Sequence, residues 1–492
     1  MSNTIKTSET HPIRVDSLRP KDGYGRIGVT LCPGKKYPWG LAGNWERDLD
    51  PDLDRISRWG ATAVVSLITR EEIRDLEVQD LSRAVADRHM EWWHLPIPDG
   101  QPPGAEFEKA WVHAGAAIRD RLRLGFDVLV HCKGGLGRAG TVAARLLVEF
   151  GERPDDAIDR VREARSPNAL ETRDQERHVQ QCETVVPVLP STTAESIRDR
   201  AIGAFLGLAV GDAVGTTLEF ERRDAQQRME DMVGGGPFGL AAGEWTDDTT
   251  MALALAESLA DCGMLDVRDL MDRFVRWMRK GEYSCTGHCF DIGNTTRAAL
   301  TRYERTGDPL AGSTDPHSAG NGSLMRLSPV ALRYWDDRAL LDAAAAEQSR
   351  TTHGAETAVD ACRGFAALLA DAISGKAKAD LLAPRSFDGA AEISRILAGS
   401  WRGKAREEIS SSGYVASTME AALWSVARTS DFRGAVLVAA NLADDADTVA
   451  AVTGQLAGAL YGLGGIPDDW LGRVTWKDRL LDVAGRVSSR TC

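Results

Sequence analysis

Two patterns of apolar and polar positions divide the chain. In residues 1–185, short apolar runs at 62–68, 92–97 and 127–130 alternate with stretches of helical period at 106–124 and 138–147. A short apolar run between polar residues reads as a buried strand, and a 3.6-residue apolar period as a helix packed on one face. Their alternation predicts an α/β domain around a mostly parallel sheet. The segment 185–193, with Pro187 and Pro190, then interrupts both patterns. Thr192 and Glu195 stand at capping-box spacing, which predicts a helix start there. From residue 196 onward, Ala, Leu and Gly recur at helical spacing, as in 201–210, 250–259, 358–370 and 449–461, and strand alternation is nearly absent. That predicts an all-α second domain. The expected division is a first domain over 1–185, a linker over 186–195 and a second domain over 196–492.

Composition narrows the class. The 492 residues are 43% hydrophobic, enough for two cores, and carry a net charge of -13. That balance does not indicate nucleic acid as a partner. Residues 1–7 lack the apolar stretch of a signal peptide, and no apolar run reads as long enough to span a bilayer. The eight cysteines are dispersed, which speaks against a disulfide framework. A cytoplasmic protein with reduced thiols and no membrane partner is the expectation.

Chemistry first shows in Val130-His131-Cys132-Lys133-Gly134-Gly135-Leu136-Gly137-Arg138. A strand leads into this glycine-rich loop and a helix leaves it, so backbone N–H groups and the helix dipole converge on an anion. The same field favours a thiolate at Cys132. Attack on phosphorus needs that nucleophile, a bidentate guanidinium such as Arg138, and an acid for the leaving oxygen. Asp99, in the stiff loop Pro96-Ile97-Pro98-Asp99-Gly100, is the candidate acid, and Gln175 a candidate to orient the hydrolytic water. Lys133, Gly135 and Gly137 would contact the phosphate. The loop and the Pro-x-x-Asp-Gly segment resemble the dual-specificity cysteine phosphatases, nearest to the cyclin-dependent kinase-associated type, over roughly residues 25–180. A Ser or Thr commonly follows the Arg in that family, and Ala139 stands there instead. That departure leaves open a domain that only binds phosphate and regulates or recruits substrate.

The second half carries two acidic clusters. Thr246-Asp247-Asp248-Thr249 opens one helix and Asp444-Asp445-Ala446-Asp447-Thr448 another. Either alone reads as ordinary helix capping. Both lead helices of small residues that can approach closely, and four carboxylates brought together repel unless cations lie between them. Hard oxygen donors select Mg²⁺ or Mn²⁺, and two divalent ions balance four carboxylates.

These clusters, with 203–213, Phe290-Asp291-Ile292-Gly293-Asn294, Gly320-Asn321-Gly322-Ser323-Leu324-Met325-Arg326 and Thr352-His353-Gly354, resemble the ADP-ribosylglycohydrolase family in unbroken order over roughly 196–485. The resemblance implies a compact all-α fold with a binuclear magnesium site. It assigns Thr246, Asp247, Asp248, Asp445, Asp447 and Thr448 as ligands and Glu219 as an acidic group beside them. Asn321, Ser323 and His353 would line the ADP-ribose cleft, and Asp291 either contacts substrate or caps a helix. Asp444 replaces the Gly usual in its motif. Asp212 reads as a structural carboxylate, and Cys285, His288 and Cys289 as ordinary residues. The expected protein is a bifunctional hydrolase: a cysteine phosphatase joined to a magnesium-dependent enzyme cleaving an ADP-ribosyl N- or O-glycosidic bond. Its substrates would be ADP-ribosylated and phosphorylated protein, nucleotide or nucleic-acid ends.

Overall fold

The computed structural model describes residues 5–38 and 43–489. Residues 1–4 of the stretch read above for a leader therefore lie outside the described residues. The chain forms two units, 1–188 and 189–492.

The first unit is built on five strands: β1 (Asp16–Leu18), β2 (Ile27–Leu31), β3 (Ala61–Ser66), β4 (Glu91–His94) and β5 (Asp127–Cys132). Their order is β1-β2-β5-β3-β4, with β1 antiparallel to β2 and every other pairing parallel. β5 is central, with Val128, Leu129 and Val130 fully buried. Its pleat sends Val128 and Val130 to one face, where they meet Phe107, Trp111 and Ile118 of α1 (Ala105–Arg123) and Val142 and Leu146 of α2 (Gly137–Glu149). Leu129 points to the other face, among Leu53, Ile56, Val64 and Val85. The strand thus ends with Cys132 at the edge where parallel α/β sheets place their loops. β1 and β2 escaped the sequence reading: β1 has three residues, and Gly28 interrupts the apolar signal of β2.

The second unit is helical. Its first long helix, α4 (Ala194–Gly215), is capped by Thr193, which accepts from Ser196 N–H at 3.3 Å, one residue beyond the predicted Thr192. The segment Ala194–Leu218 is, by length and composition, apolar enough to cross a membrane, which corrects the expectation that no such run exists. It is buried against α7 (Ala446–Tyr461) instead. Glycines every fourth residue set that contact. A Cβ added at Gly203, Gly207, Gly211 or Gly215 would lie 2.5, 2.3, 2.2 or 2.3 Å from the carbonyl oxygens of Gly458, Gly454, Ala450 and Ala446 respectively. The helices therefore run antiparallel at backbone contact, and the end of α4 meets the start of α7. Two more helices complete the site: α5 (Asp247–Cys262) and α6 (Asn294–Thr306).

Candidate active sites

In the first unit the loop 133–136 folds back on Cys132, whose Sγ accepts from Gly135 N–H at 3.1 Å. Gly135 takes φ 73°, and a Cβ there would strike the Thr30 carbonyl at 2.4 Å, so only glycine closes this turn. A Cβ at Gly137 would lie 2.2 Å from Glu171 Oε2. Arg138, buried at the first turn of α2, is held by Glu72 through two bonds, Nη1 to Oε2 at 2.6 Å and Nη2 to Oε1 at 2.8 Å. Nη1 also donates to the Ile97 carbonyl at 2.9 Å. Glu72 was not among the predicted residues. Its signal was the capping box Thr69-x-x-Glu72, which fixes the carboxylate by a bond from Thr69 N–H at 2.9 Å. The guanidinium beside it holds Glu72 below the usual carboxylate range against the opposing effect of burial.

Asp99 reaches the same guanidinium, Oδ1 to Nη2 at 2.8 Å, from a side chain 65% exposed. Lys133 stacks its ammonium over Tyr37, 4.0 Å from the ring centroid. Gln175 is buried and held by two backbone bonds. Its Oε1 accepts from Glu171 N–H at 2.8 Å and its Nε2 donates to the Gln101 carbonyl at 3.2 Å. These bonds tie the segment after Asp99 to α3 (Arg173–Gln180) and leave one N–H and one lone pair of the amide for a water. His131 is fully buried beneath the loop, with Nε2 2.6 Å from Ser66 Oγ, which also accepts from Trp92 Nε1 at 2.8 Å. Burial pushes its imidazole down to about 3.

In the second unit, α4, α5 and α7 deliver carboxylates to one place. Glu219 follows α4, and its strand-like bridge to Asp444 is closed by Phe220 N–H to Asp444 O at 2.7 Å and Asp444 N–H to Glu221 O at 2.9 Å. Asp444 has φ 66°, which is why glycine is at home in that position and why Asp is tolerated there. Glu219, Asp445 and Asp447 each present an oxygen within 4.8 Å of the others. Asp447, Asp445 and Glu219, with Asp247, Asp291, Asn321, His353 and Thr448, line a cavity of about 470 Å³. Thr246 Oγ1 lies 3.1 Å from Asp447 Oδ2, and Thr448 Oγ1 donates to Asp248 Oδ2 at 3.2 Å, so the two motifs interlock. Asn321 Nδ2 bonds both Asp445 and Thr418.

Asp212 is the organiser of this arrangement. Its two oxygens accept from the N–H and Oγ1 of Thr246 and of Thr249, at 2.6 to 2.9 Å, which pins the N-terminus of α5. Ser323, expected in the cleft, is fully buried, bonded to Ser349 Oγ at 2.8 Å, and absent from the cavity wall. Thr246 and Asp248 likewise stand behind the wall. His353 does line it, with Nδ1 2.9 Å from Thr352 Oγ1.

Burial, reinforced by the Asp447 charge, pushes Asp445 up to about 8 and Glu219, Asp247 and Asp248 well above the carboxylate range. For Asp291, burial and then Asp247 raise the carboxyl to about 11. Carboxyls so withdrawn from water either keep their protons or need compensating positive charge beside them. Asp248 Oδ1 is also buried without a hydrogen-bond partner. An all-oxygen donor set with an orphaned carboxylate oxygen fits a hard divalent cation.

Two helical and strand-loop constellations of this kind define a hydrolase of two parts, one acting on phosphate and one on a glycosidic bond. The model of the ADP-ribosylglycohydrolase family matches residues 193–492, and the chain belongs to that family. Residues 37–186 match the model described as Swiss Army Knife protein, DSP-PTPase phosphatase domain. Over 306 residues, 61% of this chain and 80% of the relative, it is 49% identical to the ADP-ribosylarginine hydrolase Tri1 of Pseudomonas putida. A solved structure titled "ADP-ribosylglycohydrolase-related protein complex" is similar at 43% identity and TM-score 0.55, covering 61% of this chain and 100% of that one. The first unit is 29% identical to cyclin-dependent kinase inhibitor 3 of Rattus norvegicus, across 30% of this chain and 66% of that protein.

Proposed function

We propose that the second unit hydrolyses the N-glycosidic bond between ADP-ribose and an arginine side chain with the help of divalent magnesium, and that the first is a phosphatase working through Cys132. The observation that carries the first reading is the convergence of Glu219, Asp247, Asp291, Asp445 and Asp447 on one cavity. The 49% identity to an ADP-ribosylarginine hydrolase supports the choice of linkage.

Thr246, Asp247, Asp248, Asp445, Asp447 and Thr448 are the residues that would hold the cations, which when bound supply charge balance and hold sugar hydroxyls. The rest is the work of this chain. The cavity would orient the sugar through Asn321 and His353. Cleavage at the anomeric carbon builds oxocarbenium character, which neighbouring carboxylates stabilise. Glu219, which cations at the site would keep ionised, would take the proton from attacking water. Water adds to the anomeric carbon, the C–N bond breaks, and the proton taken by Glu219 passes to the departing guanidine. Release of ADP-ribose from an ADP-ribosylarginine peptide, followed by mass spectrometry with and without magnesium, tests this reading. No release in the presence of magnesium refutes it.

For the phosphatase, a phosphate monoester takes over Arg138 Nη2 from Asp99, whose freed carboxylate picks up a proton from solvent; the Cys132 thiolate then bonds phosphorus, the P–O ester bond breaks, and Asp99 protonates the leaving oxygen. Water then attacks the phosphocysteine, giving a proton to Asp99, and the S–P bond breaks to return inorganic phosphate and the thiolate. The shared Arg138–Asp99 pair and the exposure of Asp99 support this exchange. Turnover of 4-nitrophenyl phosphate that vanishes in Cys132→Ser is the expected result, and undiminished turnover in that variant refutes it.

A further inference from the structure

The phosphate loop rests on a buried lysine that no step above uses. Lys35 lies just past β2 and is only 5% exposed. Its Nζ donates to the Lys133 carbonyl, in the residue following the nucleophile, at 3.0 Å. The Trp45 ring sits 4.4 Å from the ammonium, a cation–π contact that shields it from water. The groups facing it are Cys32 from its own segment, Cys132 and Lys133 from the phosphate loop, and Arg47 from beyond the Lys36–Tyr37 strand. Arg47 is itself bound to Asp52 at 2.7 Å, and Glu72, the acid beside the loop, to Arg138. No carboxylate pairs with Lys35 among the described residues. A buried ammonium with no anionic partner is costly, and evolution ordinarily pairs or removes it.

Among the described residues, two thiols face Lys35 that an anionic form would make into partners. Burial pushes the Cys32 thiol far above its usual range, so it stays protonated. That leaves Cys132. The same burial draws Lys35 down to about 8, while the nearby sulfurs act to hold its proton.

We infer that Lys35 is a positioning residue of the phosphatase site, opposing the Cys132 thiolate with a buried positive charge and pinning the Lys133 carbonyl so that its dipole meets a cation instead of an incoming phosphate. The inference rests on the phosphatase reading, and its test does not require turnover. In the full chain, capture of Cys132 by iodoacetamide is followed across pH by mass spectrometry of the Cys132 peptide, for wild type, Lys35→Met and Lys35→Arg. Lys35→Met raises the pH of half-maximal capture by about one unit, equivalent to about tenfold slower capture below that pH. Lys35→Arg, which keeps the charge, restores most of it. The thermal transition of the first unit is unchanged in both, confirming an intact fold. A half-capture pH unmoved in Lys35→Met overturns the inference, even if phosphatase turnover falls.

Should Lys35→Met fail to fold, the reciprocal measurement decides. In ¹⁵N-lysine-labelled Cys132→Ser, the Lys35 ammonium titrates about one unit lower than in wild type, because linked groups shift each other equally. An unchanged Lys35 titration overturns the inference. A wild-type chain without phosphatase activity would sink the phosphatase reading alone and leave both titrations informative.

Discussion

Single residues carry the phosphatase loop. Glu72 fixes the Arg138 fork by two bonds, so Glu72→Gln leaves the fork half-held. Misplacement of a positioning group costs about 10²-fold in turnover, and that loss in kcat/KM on 4-nitrophenyl phosphate is expected for Glu72→Gln with KM rising. His131 is buried and neutral, with a folded value of about 3 against an unfolded value near the ordinary 6.5. Between those values the unfolded chain binds the extra proton, so this histidine withdraws stability as pH falls through 6.5 toward 3. Its ring resonances should stay unshifted from pH 8 to pH 5, and a titration near 6.5 would contradict the burial. Cys132 and Arg138 stood out in the sequence because their spacing wraps one anion, and Asp99 because it sits in a stiff Pro/Gly loop. Glu72 was not, because a capping box looks the same whether or not its carboxylate reaches a distant arginine. Ser323 read as a cleft residue because it lies inside a cleft motif, but a serine two places from Asn321 turns to the opposite side, against Ser349.

At the scale of elements, the glycine ladder between α4 and α7 decides whether the acidic cluster exists. Glu219 hangs from the end of α4 and Asp445 and Asp447 from the start of α7, so any separation of these helices parts them. Gly211→Leu drives a side chain into the Ala450 carbonyl. Overpacking of this kind costs about 1–3 kcal/mol where side chains can yield, and here the obstacle is backbone. The thermal transition of the second unit should fall, and ADP-ribose release should be lost together with it. Unchanged activity in Gly211→Leu would show that helix contact does not build the site. The helical nature of this half and its Asp-bearing helix starts were readable from period and caps. The antiparallel pairing of α4 with α7 was not, since small residues announce close approach without naming the partner helix. For the same reason β1 and β2 went unseen: a three-residue strand and a glycine-broken one gain their stability from neighbours in the sheet.

On the scale of the whole molecule, two units of different chemistry share one chain. Each carries its own candidate site, with that site's residues supplied from within the unit. The two activities should therefore separate cleanly. Cys132→Ser should leave ADP-ribosylarginine hydrolysis at the wild-type rate, and Asp247→Asn with Asp248→Asn should leave phosphatase turnover intact. A chelator should stop the first activity and spare the second. Loss of both activities in either variant would mean that one unit's chemistry depends on the other.

The central claim is that buried carboxylates from α4, α5 and α7 form a cation cage that cleaves ADP-ribosylarginine. Mass spectrometry of a defined ADP-ribosylarginine peptide tests it most directly, comparing wild type with Asp247→Asn/Asp248→Asn while magnesium is titrated into chelator-treated protein. Free ADP-ribose and unmodified arginine appearing with added magnesium in wild type alone is the predicted result. Equal release in the double variant, or release in wild type that ignores magnesium, would contradict it.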